Sequence, residues 1–348
     1  MEITRISRVG ASTQLVALFA FLLLLTVVKV HAAPSIEEID RVRIAEAFRV
    51  ADKVQDQVWL GWSTAPFAML FVTNDHEFLI RHEKPSEEFH SLGYDKLLKS
   101  EVFWRERKFP KTFLATLNAF GSTPVIVVGK PENTTDKTST RWLFVVLHEH
   151  FHQFQYSRPD YFDSVNALDL ARGDTTGMWQ INYAFPYKEK RFVESFRQLT
   201  DLLSAANAAK DDNERSVRLK AYLAARAAFT ASLAADDRKY FSFQLWQEGI
   251  ARYTQYKIAE LAGRKLKPSK AFRSLKDFTP FDLEAARLLT VIDEEMGHLD
   301  LAEWERVVFY PFGASEGLLL DKVNPNWQQQ YLEQKFALET AYDRTRRK

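Results

Sequence analysis

The pattern His148-Glu149-x-x-His152 has residue types and a spacing that suit one specific chemistry, hydrolysis at a zinc ion. On a helix, residues four positions apart lie one turn above each other, so the two imidazoles can bind a single metal ion. Glu149 lies beside them and can accept the proton of an attacking water. The pattern therefore predicts a helix that carries two metal ligands and a general base.

The residues around this pattern predict a buried helix. A mainly apolar run, residues 141–147, leads into it and continues through Phe151, Phe154 and Tyr156, and neither Pro nor Gly interrupts the run before Pro159. Such a run is typical of a helix in the core. The alternative is that the two histidines are ordinary core or surface residues that bind no metal.

His150 differs from the two histidines that flank it. It lies two residues from each of them, which places it on the opposite side of a helix. From there its ring cannot share their metal ion. We therefore expect His150 to pack in the core or to support the site from behind.

A catalytic zinc site needs a third protein ligand, since three ligands and a water are usual. Residues 156–162 contain neither the Gly nor the His of the longer HExxHxxGxxH pattern. Glu248 is the best remaining carboxylate, because it is a lone acid beside the small residues Gly249 and Ala251 in an apolar helical segment. A buried carboxylate needs a cation nearby. The alternative is that Glu248 pairs with Arg252 at the helical i,i+4 spacing.

The two motifs together resemble a known family. His148-Glu149-x-x-His152 followed by Glu248-Gly249-Ile250-Ala251 is similar to the gluzincin group of zinc metallopeptidases, the peptidase MA-like proteins. In that group the third ligand is a Glu in a Glu-Gly-x-Ala context on a following helix. The resemblance implies that one Zn²⁺ per chain is bound by His148, His152 and Glu248, with Glu149 as the general base.

The segment Tyr310-Pro311-Phe312-Gly313 extends the resemblance to the catalytic domains of aminopeptidase-like gluzincins. Their Tyr-x-x-Gly tyrosine stabilises the oxyanion, which implies that role for Tyr310; packing of a half-buried tyrosine is the alternative. Tyr253 and Tyr256 are the other candidates. The chain departs from the family in its long segment between His152 and Glu248. It also lacks the Gly-x-Met-Glu-Asn segment that binds a substrate amino terminus, so the choice between exopeptidase and endopeptidase stays open.

The elements that position these residues predict an α+β fold. A small mixed sheet packs on the HExxH helix, and a mainly helical lobe that carries the third ligand follows it. An amphipathic helix over residues 35–57, capped by Ser35, precedes the sheet. Strands are predicted over residues 67–73, 78–81, 102–109 and 125–128. From Thr138 onward the pattern is helical, with predicted helices over residues 189–208, 212–235, 238–261 and 281–296 and two more through Tyr342. The predicted units are residues 1–32, 33–137 and 138–348.

Residues 1–32 have the pattern of a secretory signal peptide. Arg5 and Arg8 precede an apolar stretch, residues 15–28, and small residues lie before a cleavage site at Ala33. A helix over this stretch would be about 21 Å long, which is short for a bilayer core of about 30 Å. The sequence therefore predicts an exported protein, periplasmic or secreted, without stable membrane association after cleavage. A membrane anchor is the alternative.

Composition agrees with a folded exported enzyme. The chain has 348 residues, 46% of them hydrophobic, and a net charge of +1, which offers nothing to attract nucleic acid. It has no Cys, so disulfides cannot stabilise it. Asn133 begins a glycosylation sequon that would matter only in a eukaryotic secretory pathway. We expect a peptide or protein substrate; the oligomeric state stays open.

These observations predict a zinc-dependent metallohydrolase that cleaves peptide bonds. Zinc would lower the pKa of a bound water and polarise the scissile carbonyl, and Glu149 would transfer the proton of that water to the leaving amine. Two other classes of protein stay open. One is a non-enzymatic exported protein in which a helix pair uses zinc, or merely hydrogen bonds, for structure. The other is an inactive module that keeps the peptidase fold and binds peptides.

Overall fold

A computed structural model of the protein describes residues 33–82 and 86–347, with side chains given up to residue 342. The predicted signal peptide, residues 1–32, lies outside the described residues. From Pro34 onward the chain forms one compact unit. Its main hydrophobic core contains apolar residues of the sheet and of the helices that follow. The sheet and these helices therefore share one interior.

One six-stranded mixed sheet lies in the first part of the chain. Its strands are β1 (Ala68–Val72), β2 (His76–Ile80), β3 (His90–Asp95), β4 (Ser100–Glu106), β5 (Leu114–Leu117) and β6 (Val125–Gly129). The strand order is β3-β4-β2-β1-β6-β5, in which only the β1–β6 pair is parallel, with Leu70 opposite Val127. The predicted α+β class with a small mixed sheet is confirmed.

Strands β1 and β6 are apolar along their whole length because both faces of the sheet are covered. On one face Met69 and Ile126 join the main core. On the other face Leu70 and Val127 belong to a smaller cluster, against which phenylalanines of the neighbouring loops and strands pack. Both faces of β1 and β6 are therefore shielded from solvent, and the helix that carries the HExxH pattern can pack directly on the sheet.

Two strands were not predicted, and both are edge strands. β3 is mostly exposed and contains Gly93, with φ +82°, at a shift in register. β5 has only four residues, and three of them are partly exposed. Short strands with one wet face lack the alternating or continuous apolar pattern that sequence analysis detects.

The rest of the described chain is mainly helical. The α-helices are α1 (Glu38–Val58), α2 (Ser139–Tyr156), α3 (Tyr161–Ala167), α4 (Trp179–Asn182), α5 (Lys190–Asn207), α6 (Asp212–Ser232), α7 (Ala235–Gln244), α8 (Ile250–Lys265), α9 (Lys270–Arg273), α10 (Phe281–Gly297), α11 (Leu301–Trp304), α12 (Phe309–Val323) and α13 (Trp327–Glu333). Short 3-10 helices add Trp62–Thr64, Pro131–Asn133, Glu305–Val308 and Leu338–Arg347. Within the described ranges, no helix is both long and apolar enough to cross a bilayer.

The first helix begins later than predicted. Glu37 is the residue before α1, and no side-chain hydrogen bond caps this end, so the predicted Ser35 cap is wrong. Glu38 and Asp40 lie in the first turn instead, where carboxylates interact favourably with the helix dipole. The charge pattern, rather than a capping side chain, marks the start of this helix.

The sequence predicts one helix over residues 238–261. The structure has two helices there, α7 and α8, which a π-helical turn, Leu245–Gly249, joins without a break. Gly249 on this turn meets Gly313 of α12: a Cβ built on Gly249 would lie 2.5 Å from the Cα of Gly313. Only glycine at both positions allows the two backbones to approach this closely. The crossing brings the first turn of α12 next to the π-helical turn.

Candidate metal centre

Helix α2 presents His148 and His152 on one face, and the π-helical turn brings Glu248 opposite them. His148 Nε2 lies 3.2 Å from His152 Nε2. Glu248 Oε2 lies 3.4 Å from His152 Nε2 and 3.9 Å from His148 Nε2. The structure thus brings together the three residues that the sequence names as metal ligands.

This triangle of atoms has the size that a zinc ion requires. Three ligands that each lie about 2.0–2.2 Å from a tetrahedral zinc are about 3.3–3.6 Å from one another. The circle through the three atoms has a radius of about 2.0 Å, so one point lies at bonding distance from all of them. Two imidazole nitrogens and a carboxylate oxygen are also a common donor set for zinc. The residues fit the ion in both geometry and chemistry.

The charges of the three side chains depend on one another. Burial opposes a charge on the His152 ring, but the Glu248 carboxylate outweighs burial and raises the pKa of His152 to about 9. Burial alone would raise the pKa of Glu248, whereas the charge of His152 lowers it to about 2. Burial and the nearby His152 lower the pKa of His148 to about 3. A metal ion bound among them would replace the proton that His152 carries.

Glu149 interacts with this centre without being one of the three converging ligands. It is 7% exposed, and it lies close enough to His152 and Glu248 for their charges to act on it. Its Oε2 accepts a hydrogen bond of 2.8 Å from the hydroxyl of Thr116 on β5. Burial raises the pKa of Glu149. A carboxylate with a raised pKa holds a proton better, which suits a general base.

Glu248 does not pair with Arg252, so that alternative is wrong. Arg252 Nη2 lies 3.6 Å from Glu295, and its Nη1 donates to Gln255 at 3.2 Å. The π-helical turn shifts the helix phase just after Glu248, which removes the i,i+4 alignment of the two residues. The second oxygen of Glu248, Oε1, instead lies 3.4 Å from Arg306 Nη1.

Tyr310 lies beside the three ligands, on the first turn of α12. Its ring stacks on His148, with centroids 6.3 Å apart and planes 11° from parallel. The Arg306 guanidinium lies over the same ring, 5.2 Å from its centroid, and Glu248 and Arg306 are close enough for their charges to act on the Tyr310 hydroxyl. Burial, together with the charge of Glu248, raises the pKa of Tyr310 well above its ordinary value. The hydroxyl therefore stays protonated at neutral pH and can donate a hydrogen bond.

The two alternative tyrosines are engaged elsewhere. The Tyr253 hydroxyl donates to Asp321 at 2.8 Å, and its ring is fully buried. Burial, together with the nearby charge of Glu260, raises the pKa of Tyr256, and its side chain lines a separate pocket. Neither hydroxyl has a partner in the metal centre, so Tyr310 is the tyrosine of the three that contacts it.

His150 is a core residue, as expected from its position on the helix. It is fully buried, and its ring stacks on Phe67 with centroids 3.9 Å apart. Its Nδ1 lies 2.8 Å from Gln153 Oε1, and its Nε2 lies 2.9 Å from the Gln55 amide. Burial lowers the pKa of His150 to about 3. Both ring nitrogens are occupied, and the ring is neutral.

Sequence analysis missed five residues that contact the centre. They are Thr116, Tyr156, Gln155, Gln247 and Arg306. Gln155 has a detectable signal, since an amide in an otherwise apolar helix needs buried partners. Thr116 and Arg306 have none, because a single Thr on a short strand and a single Arg in a short 3-10 helix are common in any chain.

The centre is exposed to solvent mainly on the side of Glu248 and Arg306. His148 and His152 are 6% and 5% exposed, whereas the side chains of Glu248 and Arg306 are 18% and 22% exposed. A pocket of about 520 Å³ lies elsewhere, between Tyr256, Met296 and neighbouring residues.

Comparisons with known proteins give no relative from which a function could be transferred. No protein-family model matches the chain, and searches of curated proteins and of solved structures find no significant match. The geometry of the centre therefore carries the functional argument by itself.

Proposed function

We propose that this protein is a zinc-dependent metallohydrolase that cleaves peptide bonds. The observation that carries the proposal is the convergence of His148, His152 and Glu248 at the mutual distances of zinc ligands. A general base that is not a ligand lies next to them, as zinc hydrolases require. The proposal agrees with the gluzincin resemblance of the sequence.

Three ligand side chains would hold the zinc, and Glu149 would do the proton transfer. When bound, zinc supplies a Lewis acid that lowers the pKa of water and polarises the scissile carbonyl. Glu149 takes a proton from the attacking water and passes it to the leaving nitrogen as the carbon–nitrogen bond breaks. The Thr116 hydrogen bond holds the Glu149 carboxylate in one orientation during this transfer.

Tyr310 would stabilise the oxyanion that forms on the scissile carbonyl. Its support is a protonated hydroxyl next to Glu248, on the side from which solvent reaches the ligands. Arg306 contacts both Tyr310 and Glu248, and its positive charge favours the developing negative charge. Together the two side chains form the electrophilic side of the proposed site.

The test is a measurement of metal content combined with a peptide-hydrolysis screen with and without chelator. We expect about one zinc per chain, with hydrolysis that stops on chelation and returns with zinc. Glu149→Gln should keep its zinc and lose turnover, because an amide cannot accept the proton. Zinc without turnover in the unmodified protein would favour a structural metal or an inactive peptide-binding module. Turnover that survives in Glu149→Gln would contradict the mechanism.

Export is part of the same proposal and has its own test. The support is the sequence pattern of residues 1–32, with basic residues, a short apolar stretch and small residues before Ala33. Amino-terminal sequencing of the exported protein should find a chain that begins near Ala33. A chain that keeps Met1 in the membrane fraction would indicate an anchor.

A further inference from the structure

Gln155 is a buried amide that contacts both elements of the metal centre. Its Oε1 lies 2.6 Å from His152 Nδ1 on its own helix. Its Nε2 lies 3.1 Å from the Trp246 carbonyl oxygen and 3.0 Å from that of Gln247, both in the π-helical turn. The same nitrogen lies 2.7 Å from the Tyr331 hydroxyl. One side chain thus connects the helix of two ligands with the turn of the third.

These contacts determine which ring nitrogen of His152 carries a proton. Backbone carbonyls only accept hydrogen bonds, so the amide nitrogen of Gln155 must face them. Its oxygen then faces His152 Nδ1 at 2.6 Å, which requires a proton on Nδ1. Gln247 Nε2 also lies near Nδ1, at 3.1 Å, but this longer contact does not set the tautomer, because the Gln247 amide has no backbone carbonyl that fixes which of its ends faces the ring. With the proton on Nδ1, a neutral His152 directs the lone pair of Nε2 towards the other two ligands.

The same amide stabilises the unusual backbone that presents Glu248. A π-helical turn replaces the regular i,i+4 hydrogen bonds of an α-helix by i,i+5 bonds, such as the one from the Ile250 N–H to the Leu245 carbonyl, and additional donors stabilise carbonyls where the pattern changes. Gln155 supplies N–H groups to the carbonyls of Trp246 and Gln247, the two residues directly before Glu248. The Tyr331 hydroxyl adds a donor to Trp246 at 2.9 Å. The backbone next to the third ligand is therefore fixed from the side of the first two.

We propose that Gln155 is the positioning residue of the zinc centre. It sets the tautomer of His152 and holds the turn that carries Glu248, so it assembles the three ligands before the metal binds. The inference rests on the proposed function. It predicts that zinc affinity depends on a residue that touches neither metal nor substrate, as partners of ligating histidines typically contribute about 10- to 100-fold.

The same helix provides a matched control in Gln153. Its Oε1 lies 2.8 Å from His150 Nδ1, and its Nε2 donates to the carbonyls of Ala68 and Pro124 at 2.9 and 2.7 Å. Both glutamines are fully buried. Gln153 therefore makes an equivalent set of hydrogen bonds around a histidine that is not a ligand.

The experiment compares zinc affinity in Gln155→Met and Gln153→Met, by competition with a chromogenic chelator. Methionine has a similar length and makes no strong hydrogen bond. Both metal-free variants should melt at lower temperature, but only Gln155→Met should lose zinc affinity, by about 10- to 100-fold. The absorption spectrum of bound Co²⁺ should also change only in Gln155→Met. If this variant does not fold, Gln155→Asn shortens the amide and serves instead, with the same expectation.

Two results would overturn the role of Gln155. One is a folded Gln155 variant that binds zinc as tightly as the unmodified protein, and the other is an equal loss in Gln153→Met. If the unmodified protein binds no zinc, the proposed function fails, and this role fails with it. If it binds zinc and the Gln155 variants are unchanged, only the role of Gln155 fails.

Discussion

Two histidine–glutamine pairs on helix α2 allow the metal centre to be compared with an ordinary part of the core. His150 with Gln153, and His152 with Gln155, have the same spacing. In each pair the glutamine oxygen lies near Nδ1, at 2.8 and 2.6 Å, and the glutamine nitrogen faces two backbone carbonyls. Both rings are buried. Neither burial nor the glutamine partner therefore distinguishes a candidate ligand from a packing residue.

The difference lies at the other ring nitrogen. His150 Nε2 faces the neutral Gln55 amide, and burial lowers the pKa of His150 to about 3. His152 Nε2 faces His148 and the Glu248 carboxylate, which raises the pKa of His152 to about 9 against the effect of burial. A carboxylate from a segment far along the chain thus gives one of two similar histidines the surroundings of a candidate metal ligand.

The largest expected effect is on zinc affinity, and it tests directly whether His152 and His150 differ. His152→Ala removes one of three ligands and should weaken zinc binding on the order of a thousandfold or more. His150→Ala should leave zinc affinity within about twofold, although the cavity and lost hydrogen bonds lower the free energy of unfolding by about 2–4 kcal/mol. Chelator competition and thermal melts measure the two quantities. Similar zinc losses in both variants would mean that the two faces of α2 do not differ.

The second prediction tests whether Tyr310 on α12 belongs to the same active site as His148 and His152. Tyr310→Phe should lower turnover by about 100- to 1000-fold and leave zinc content and melting temperature nearly unchanged, because it removes one oxyanion donor. Tyr253→Phe is the control, since its hydroxyl bonds to Asp321 away from the centre. It should affect stability more than turnover. Normal turnover in Tyr310→Phe would mean that Tyr310 has no catalytic role and that the active site consists of residues of α2 and Glu248.

The third prediction concerns the pH dependence of zinc binding. Because Glu248 raises the pKa of His152 to about 9, zinc must displace one proton from His152 at lower pH. Protons compete more strongly as the pH falls, so affinity should increase about tenfold per pH unit and about 100-fold from pH 6 to pH 8. His148, with its pKa lowered to about 3, adds no proton in this range. Calorimetry in buffers of different ionisation enthalpy counts the released proton, and an affinity independent of pH would contradict the ion pair.

The smallest expected effect is on the free energy of unfolding, and it tests the surroundings of His150. Gln55→Ala leaves one nitrogen of the buried His150 ring without its partner, which should cost about 1–2 kcal/mol of unfolding free energy. Gln57→Ala, two residues along α1 at an exposed position, should cost less than about 0.5 kcal/mol. Urea unfolding measures both. Neither change should alter zinc affinity, and a loss of affinity in Gln55→Ala would connect His150 to the metal centre.

The parts of the fold that sequence analysis predicted are those with strong local patterns. Helix α2 follows from an uninterrupted apolar run, and β1 and β6 follow from continuous apolar segments. The edge strands β3 and β5 were missed because one wet face weakens the pattern. The π-helical turn was missed as well, since one extra residue in a turn leaves almost no trace in a helical period.

The sequence by itself determined the pair His148 and His152 with Glu149 beside them, because the period of a helix fixes neighbours within one turn. Tertiary structure alone decided the rest of the centre. The crossing at Gly249 and Gly313 and the π-helical turn bring Glu248 to the two histidines and turn it away from Arg252. Such contacts join segments far apart in the chain, and they depend on how the whole interior packs rather than on any local period.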